Sequence, residues 1–227
     1  MQFDALSKLM TQQVAVYAFL QRIYEKEVET RLLAELPIKL KPLSTVAETV
    51  YNTKSRKAVE GLVKYVESFQ SQDLGQLKTT LAADYARLFL SINKVPAHPS
   101  ESAYREGVMM QHYRDEVLKT YWSFGISTKK EFTEPEDHIA TELSFMAYLC
   151  SKAGEALNTG DIKKAKTYIQ AQKDFLETHL TKWIPKLIQD IYETAQTPFY
   201  KGIAALTGEF IDMSLSAADD TLDQLKG

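Results

Sequence analysis

The stretch TEPEDHIATELSFMAYLC, residues 133–150, changes character halfway along. Its first half crowds a proline, several carboxylates and a histidine together. Its second half sets Ile139, Leu143, Met146 and Cys150 three or four residues apart. That spacing lays one apolar stripe along a helix, and the charged half reads as the helix start. The same period runs outward in both directions. Towards the N-terminus it links Leu6, Met10, Tyr17 and Leu20, then Val59, Leu62, Val66 and Phe69, then Tyr85, Leu88, Phe89 and Ile92, then Met110, Tyr113, Val117 and Tyr121. Towards the C-terminus it links Phe175, Leu176, His179, Leu180 and Trp183, then Leu187, Ile188, Ile191 and Tyr192. Alternation of period two is nowhere sustained. The sequence therefore predicts an all-α fold, a bundle of about ten helices in a single domain over residues 1–227.

The punctuation agrees with helices. NTGD, residues 158–161, reads as a turn between two long ones, and Thr197-Pro198 as an N-cap followed by proline at the first helical position. Pro185 falls inside an apolar pattern, so either a kink or a fresh helix capped by Thr181 is expected there. SINKVPAHPSESAY, residues 91–104, is long for a link between helices, and FGISTKKEFTEPED, residues 124–137, is a second irregular stretch. A groove flanked by the two is the expected place for a ligand.

Composition narrows the function. With 227 residues, 44% hydrophobic and 25% charged, the chain can bury a core without a metal or a disulfide. A net charge of -3 argues against a nucleic-acid partner, which needs a basic face for phosphates. The single cysteine, Cys150, sits in an apolar stripe and reads as a small buried hydrophobe. The N-terminus lacks a basic leader followed by an unbroken apolar run, and no stretch is long and apolar enough for a membrane span, so a cytoplasmic protein is expected.

Catalytic signatures are missing. There is no phosphate-cradling glycine loop and no G-x-S-x-G elbow. His138 and Glu142, four apart on one helix face, could ligate a metal, which keeps a small helical metal-dependent redox enzyme as an alternative. No second pair repeats at the spacing a di-iron bundle needs, and His98, His112 and His179 offer no partnered cluster, so no metal is assigned. A generic helical scaffold is the third reading.

The crowded turn admits two readings of its own. Thr133 and Glu136 fit a capping box, Pro135 suits a first turn, and Glu134, Glu136 and Asp137 fit the positive end of a helix dipole. Yet five carboxylates fall between Glu131 and Glu142 with no lysine or arginine, and Glu101 to Glu142 holds nine acids against five bases. Such a patch suits a cationic, extended partner, because carboxylates accept arginine bidentately.

EPEDHIATELSFM closely resembles the signature of the TorD/DmsD/NarJ family, the cytoplasmic maturation chaperones of molybdenum-containing redox enzymes. DYARLFL, the VPAHPSESAYREG segment, FLETHLTKWIP and TPFYKGIAALTGEFI are similar to further family regions in the same order, over about residues 80–213. One departure is Leu90-Ser91-Ile92, where members often carry a glycine that shapes the loop. The resemblance implies a non-enzymatic helical chaperone that binds the twin-arginine leader of a client, its apo catalytic subunit, or both, so that cofactor insertion and proofreading precede export. It also implies a monomer or a helix-swapped dimer. Guanine nucleotide, which some members are thought to bind, is the one cofactor it suggests, and no phosphate loop is legible to hold it.

By the same resemblance, Pro135, Asp137 and His138 match the binding turn, Glu142 the acidic position one turn later, and Gly125 a recurrent glycine. On this expectation Asp137, with Glu134 or Glu136, accepts guanidinium groups, and His138 orients Asp137 or donates to a peptide carbonyl. Tyr104, Tyr121 and Trp122 take the leader's apolar run, although core packing is the plainer role for each aromatic.

Overall fold

The computed structural model describes residues 3–40, 53–91, 95–107, 112–126 and 134–226. Among these residues the chain is all-helical, and its one extended pairing is an isolated bridge between Ser100 and His138. The helices are α1 (Asp4–Glu25), α2 (Thr30–Lys39), α3 (Thr53–Glu67), α4 (Leu74–Phe89), α5 (Glu101–Arg105) and α6 (His112–Ser123), followed by α7 (Ile139–Asn158), α8 (Ile162–Phe175), α9 (Thr181–Thr194) and α10 (Pro198–Gln224). Ile92, Met110, Glu131 and Thr133, which belong to the expected stripes or to the expected turn, lie outside the described residues. The helices group into two compact units, Met1–Glu25 with Ser100–Ile184 and Ile211–Gly227, and Lys26–Pro99 with Pro185–Phe210.

The first unit is built round α7. The stripe Ile139, Leu143, Met146 and Cys150 is fully buried, and so are Leu149 and Ala153 on its flanks, so α7 is enclosed on most of its circumference. It packs against α1 and α8. From α1 come Met10, Tyr17 and Leu20, and from α8 Ile169 and Phe175, all buried. Cys150 is a buried thiol between the side-chain oxygens of Gln13 and Gln172, and burial pushes its pKa well up, away from thiolate chemistry.

Between α8 and α9 the backbone widens into a π-helical turn, Leu176–Leu180. Of the two expectations at Pro185, a kink or a fresh helix capped by Thr181, the structure has α9 starting at Thr181, but as a continuation of the π-helical turn and not with Thr181 as its cap. The Thr181 N–H donates back to the carbonyls of Leu176 and His179 and its hydroxyl lies 3.4 Å from the Glu177 carbonyl, so helical geometry runs on through Pro185. The loop expected over residues 91–104 is also shortened, because its last residues coil into α5.

In the second unit, Asp84 of α4 organises the start of α10. Its carboxylate accepts the backbone N–H groups of Gln196 and Thr197 at 2.8–3.1 Å and the Thr197 hydroxyl at 2.7 Å, while Arg87 donates to it at 2.9 Å. Pro198 opens α10 where the sequence places it. Gly202 then lets α10 lie against α3. A Cβ there would sit 2.3 Å from the Leu62 Cβ and 2.9 Å from the Ala58 carbonyl oxygen.

Candidate functional site

The turn before α7 is shaped by hydrogen bonds of its own. The helix begins at Ile139, with His138 rather than Thr133 as its N-cap. Nδ1 of His138 accepts the Ala140 N–H at 3.1 Å, so in the neutral ring the proton resides on Nε2, 3.8 Å from Glu134. The Pro135 carbonyl accepts both the His138 N–H and the Thr141 hydroxyl, which folds Glu134–Asp137 back over the helix end. The capping-box expectation is therefore corrected: Pro135, Glu136 and Asp137 precede the helix, and the acid within its first turn is Glu142.

Asp137 faces inwards and is fully buried. Its Oδ2 accepts the Ser102 N–H at 2.9 Å, its carbonyl accepts the Glu101 N–H at 3.0 Å, and Ser100 bridges to His138. The ends of the two irregular stretches thus meet, and Asp137 satisfies the first amides of α5, which have no carbonyl of their own helix to bond. This revises the expectation that Asp137 accepts a partner's guanidinium, since its carboxylate is enclosed and one oxygen is committed to α5.

The remaining predicted residues divide by burial. Glu134 is 40% exposed at its side chain, whereas Glu136 is 13% exposed and receives Nε of Arg114 at 2.6 Å. Tyr121 is a core residue. Its ring lies 4.7 Å from Phe145, its hydroxyl donates to the Glu136 carbonyl, and burial, reinforced by Glu142, Asp137, Glu136 and Glu101, raises its pKa well above the phenol range. Tyr104 stacks on Trp183 at 5.6 Å. Trp122 is 60% exposed. Gly125 closes α6 with φ of 71°, while Ile126 and Gly125 donate to the carbonyls of Tyr121 and Trp122, so its left-handed backbone ends that helix.

Behind the turn lies a buried polar nest that the sequence did not assemble. Glu142 is fully buried, and its Oε2 accepts the Trp183 Nε1–H at 3.1 Å. Glu101, also fully buried, receives Arg105 at 2.6 Å and Nδ1 of His179, from the π-helical turn, at 2.7 Å. Arg105 reaches on to the Thr178 carbonyl and lies 3.6 Å over the Tyr113 ring. Burial first, then the charges of Glu101 and Asp137, hold the Glu142 carboxyl well above the carboxylate range. The reading of His179 as lying outside any partnered cluster is corrected. The pairing of His138 with Glu142 as joint ligands is not what the structure brings together: among the described residues the converging donor group is Glu101, Glu142 and His179.

These partners are far apart in the chain: 78 residues separate Glu101 from His179 and 41 separate Glu142 from Trp183. Each stands in a segment already singled out, SESAYREG, EPEDHIATELSFM or FLETHLTKWIP, but spacing carries no sign that the segments converge. Arg114, the cation that answers Glu136, gave no signal at all.

The chain is similar to known proteins over most of its length. Residues 49–189 match the family model described as Nitrate reductase delta subunit. A protein of Vibrio parahaemolyticus described as Chaperone protein TorD is 29% identical over 83% of this chain and 83% of its own. Another of the same description, from Photobacterium profundum, is 32% identical over 70% of this chain and 72% of its own. A Perchlorate reductase assembly chaperone protein of Dechloromonas aromatica is 30% identical over 68% of this chain and 70% of its own.

Proposed function

Because this chain belongs to the nitrate reductase delta subunit family, with the TorD chaperones among its relatives, we propose that it recognises the twin-arginine leader of a client and holds the client's apo catalytic subunit until its cofactor is inserted. At the coarser level the chain is a maturation chaperone for a molybdenum-containing oxidoreductase, and not an enzyme. The cytoplasm is where such a task falls, ahead of export. Among the described residues no helix is long and apolar enough to cross a membrane.

The observation that carries the leader reading is the guanidinium already seated on the turn. Arg114 occupies Glu136 at 2.6 Å, and Glu134 stands more exposed two residues away. A leader arginine would dock on Glu134 and compete with Arg114 for Glu136, while exposed Trp122 offers the leader's apolar run a surface. Asp137 and His138 act by fixing the turn, and Glu142 by supporting it from below, rather than by gripping the peptide.

Exposed carboxylate–arginine pairs contribute roughly 0.2–1 kcal/mol each. Replacing Glu134 and Glu136 by Gln together should therefore weaken binding of a synthetic leader peptide by about two- to thirtyfold in fluorescence anisotropy. Added salt should weaken wild-type binding, and a twin-lysine peptide should bind less well, because lysine lacks the planar fork that matches a carboxylate. Equal binding of both peptides by wild type and double variant would overturn the leader reading.

A further inference from the structure

The nest behind the turn gathers three side chains of metal-ligating type, Glu101, Glu142 and His179, in one buried space. Each carboxylate has one oxygen tied down from outside. Trp183 holds Oε2 of Glu142 at 3.1 Å, and Arg105 holds Oε1 of Glu101 at 2.6 Å. Their other oxygens differ. Oε1 of Glu142 is buried with no N–H or hydroxyl donor and has the Glu101 carboxylate as its neighbour, while Oε2 of Glu101 meets Nδ1 of His179 at 2.7 Å, a contact that a bound ion would replace. One donor atom from each of Glu101, Glu142 and His179 lies within 4.8 Å of the other two, and all three residues are buried.

We propose that Glu101, Glu142 and His179 bind one first-row divalent transition-metal ion of the Zn²⁺ class. Such ions take carboxylate oxygen and imidazole nitrogen at about 2.0–2.2 Å, which sets ligand atoms about 3–4 Å apart, so small side-chain rotations complete the site. Arg105 and Trp183 then play the part that outer-shell donors play in metal sites, orienting each carboxylate through the oxygen the metal does not use. Charge agrees with an ion of this valence. An ion that displaces the Glu142 proton meets three negative charges, on Glu101, Asp137 and Glu142, and one positive on Arg105, so a divalent ion beside neutral His179 leaves the nest neutral. One imidazole with two carboxylates suits Zn²⁺, Mn²⁺ or Fe²⁺ better than Cu⁺, which favours sulfur, and three protein ligands leave a coordination position open. This inference does not depend on the leader reading, and its test uses no peptide.

The full chain is stripped with chelator, titrated with ZnCl₂ by calorimetry, and assayed for metal after gel filtration. Wild type should retain about one equivalent. Glu142→Gln, which keeps an acceptor for Trp183, should weaken binding at least tenfold, with far-UV circular dichroism reporting its fold. X-ray absorption at the zinc edge of the wild-type complex gives an independent reading and should show nitrogen and oxygen neighbours only, with one imidazole. Equal zinc binding by wild type and a folded Glu142→Gln would place the ion elsewhere, for instance at the exposed His112–Glu116 pair, and would overturn the proposal. So would a sulfur neighbour, or no retained zinc.

Discussion

At the scale of single residues, the physical tension in this protein is concentrated in Glu142. Its carboxyl is enclosed, with Glu101 and Asp137 as like charges nearby and Tyr121, Arg105 and His179 completing the ionisable surroundings. Metal-free, it holds its proton to a higher pH in the folded chain than in the unfolded one, where the ordinary value of 4.5 applies. The unfolded chain therefore releases this proton first as pH rises. The contribution to stability is complete below about pH 4.5 and is lost as pH climbs towards the folded value, with a slope of up to about 1.4 kcal/mol per pH unit. Urea unfolding in chelator between pH 5 and 7 should show wild type losing stability relative to Glu142→Gln. Parallel pH profiles for the two would mean that Glu142 titrates normally.

At the scale of elements, two helices are started from outside themselves. The first amides of α5 are met by Asp137, and the amides preceding α10 by Asp84. A helix as short as α5 cannot pay the cost of nucleation through its own hydrogen bonds, so the acid from a distant turn fixes where it begins. Asp84→Ala strands the N–H groups of Gln196 and Thr197, the Thr197 hydroxyl and the Arg87 guanidinium together. The expected cost is about 2–4 kcal/mol in urea denaturation, with Asp84→Asn losing less because one acceptor oxygen survives.

The contact of α3 with α10 fails differently. Gly202→Ala would favour helix by up to about 1 kcal/mol in an open setting, but here its Cβ collides with the Leu62 Cβ and the Ala58 carbonyl. Thermal unfolding should show a net loss of about 1–3 kcal/mol, since a backbone oxygen and a Cβ fixed to the backbone cannot swing aside as a chain end can. An unchanged melting temperature would show that the two helices have room to part.

At the scale of the whole molecule, the helical class and most of the core were legible in the sequence because they rest on local periodicity. Ile139, Leu143, Met146 and Cys150 read as one face and are buried as one face. The turn at residues 158–161 and the proline opening α10 were legible for the same reason, since glycine and proline act within one or two residues. The family followed from motifs in a fixed order. The direction in which the acids point was not legible. Spacing placed Glu134, Glu136 and Asp137 on one turn, but burial separates an exposed Glu134 from an Arg114-paired Glu136 and an enclosed Asp137. Nothing local distinguishes a carboxylate that meets solvent from one that meets the start of another helix.

The sequence by itself determined an all-helical chain, the position of its central helix, its single inert thiol and its chaperone family, because periodicity, composition and ordered motifs are properties of the chain read in line. Only the tertiary structure decided that Glu101, Glu142 and His179 share one buried space, that Arg114 sits on Glu136, and that Asp137 starts α5. The reason is physical. Electrostatic and hydrogen-bond partners are chosen by distance in space, and folding brings together side chains that lie tens of residues apart in the chain.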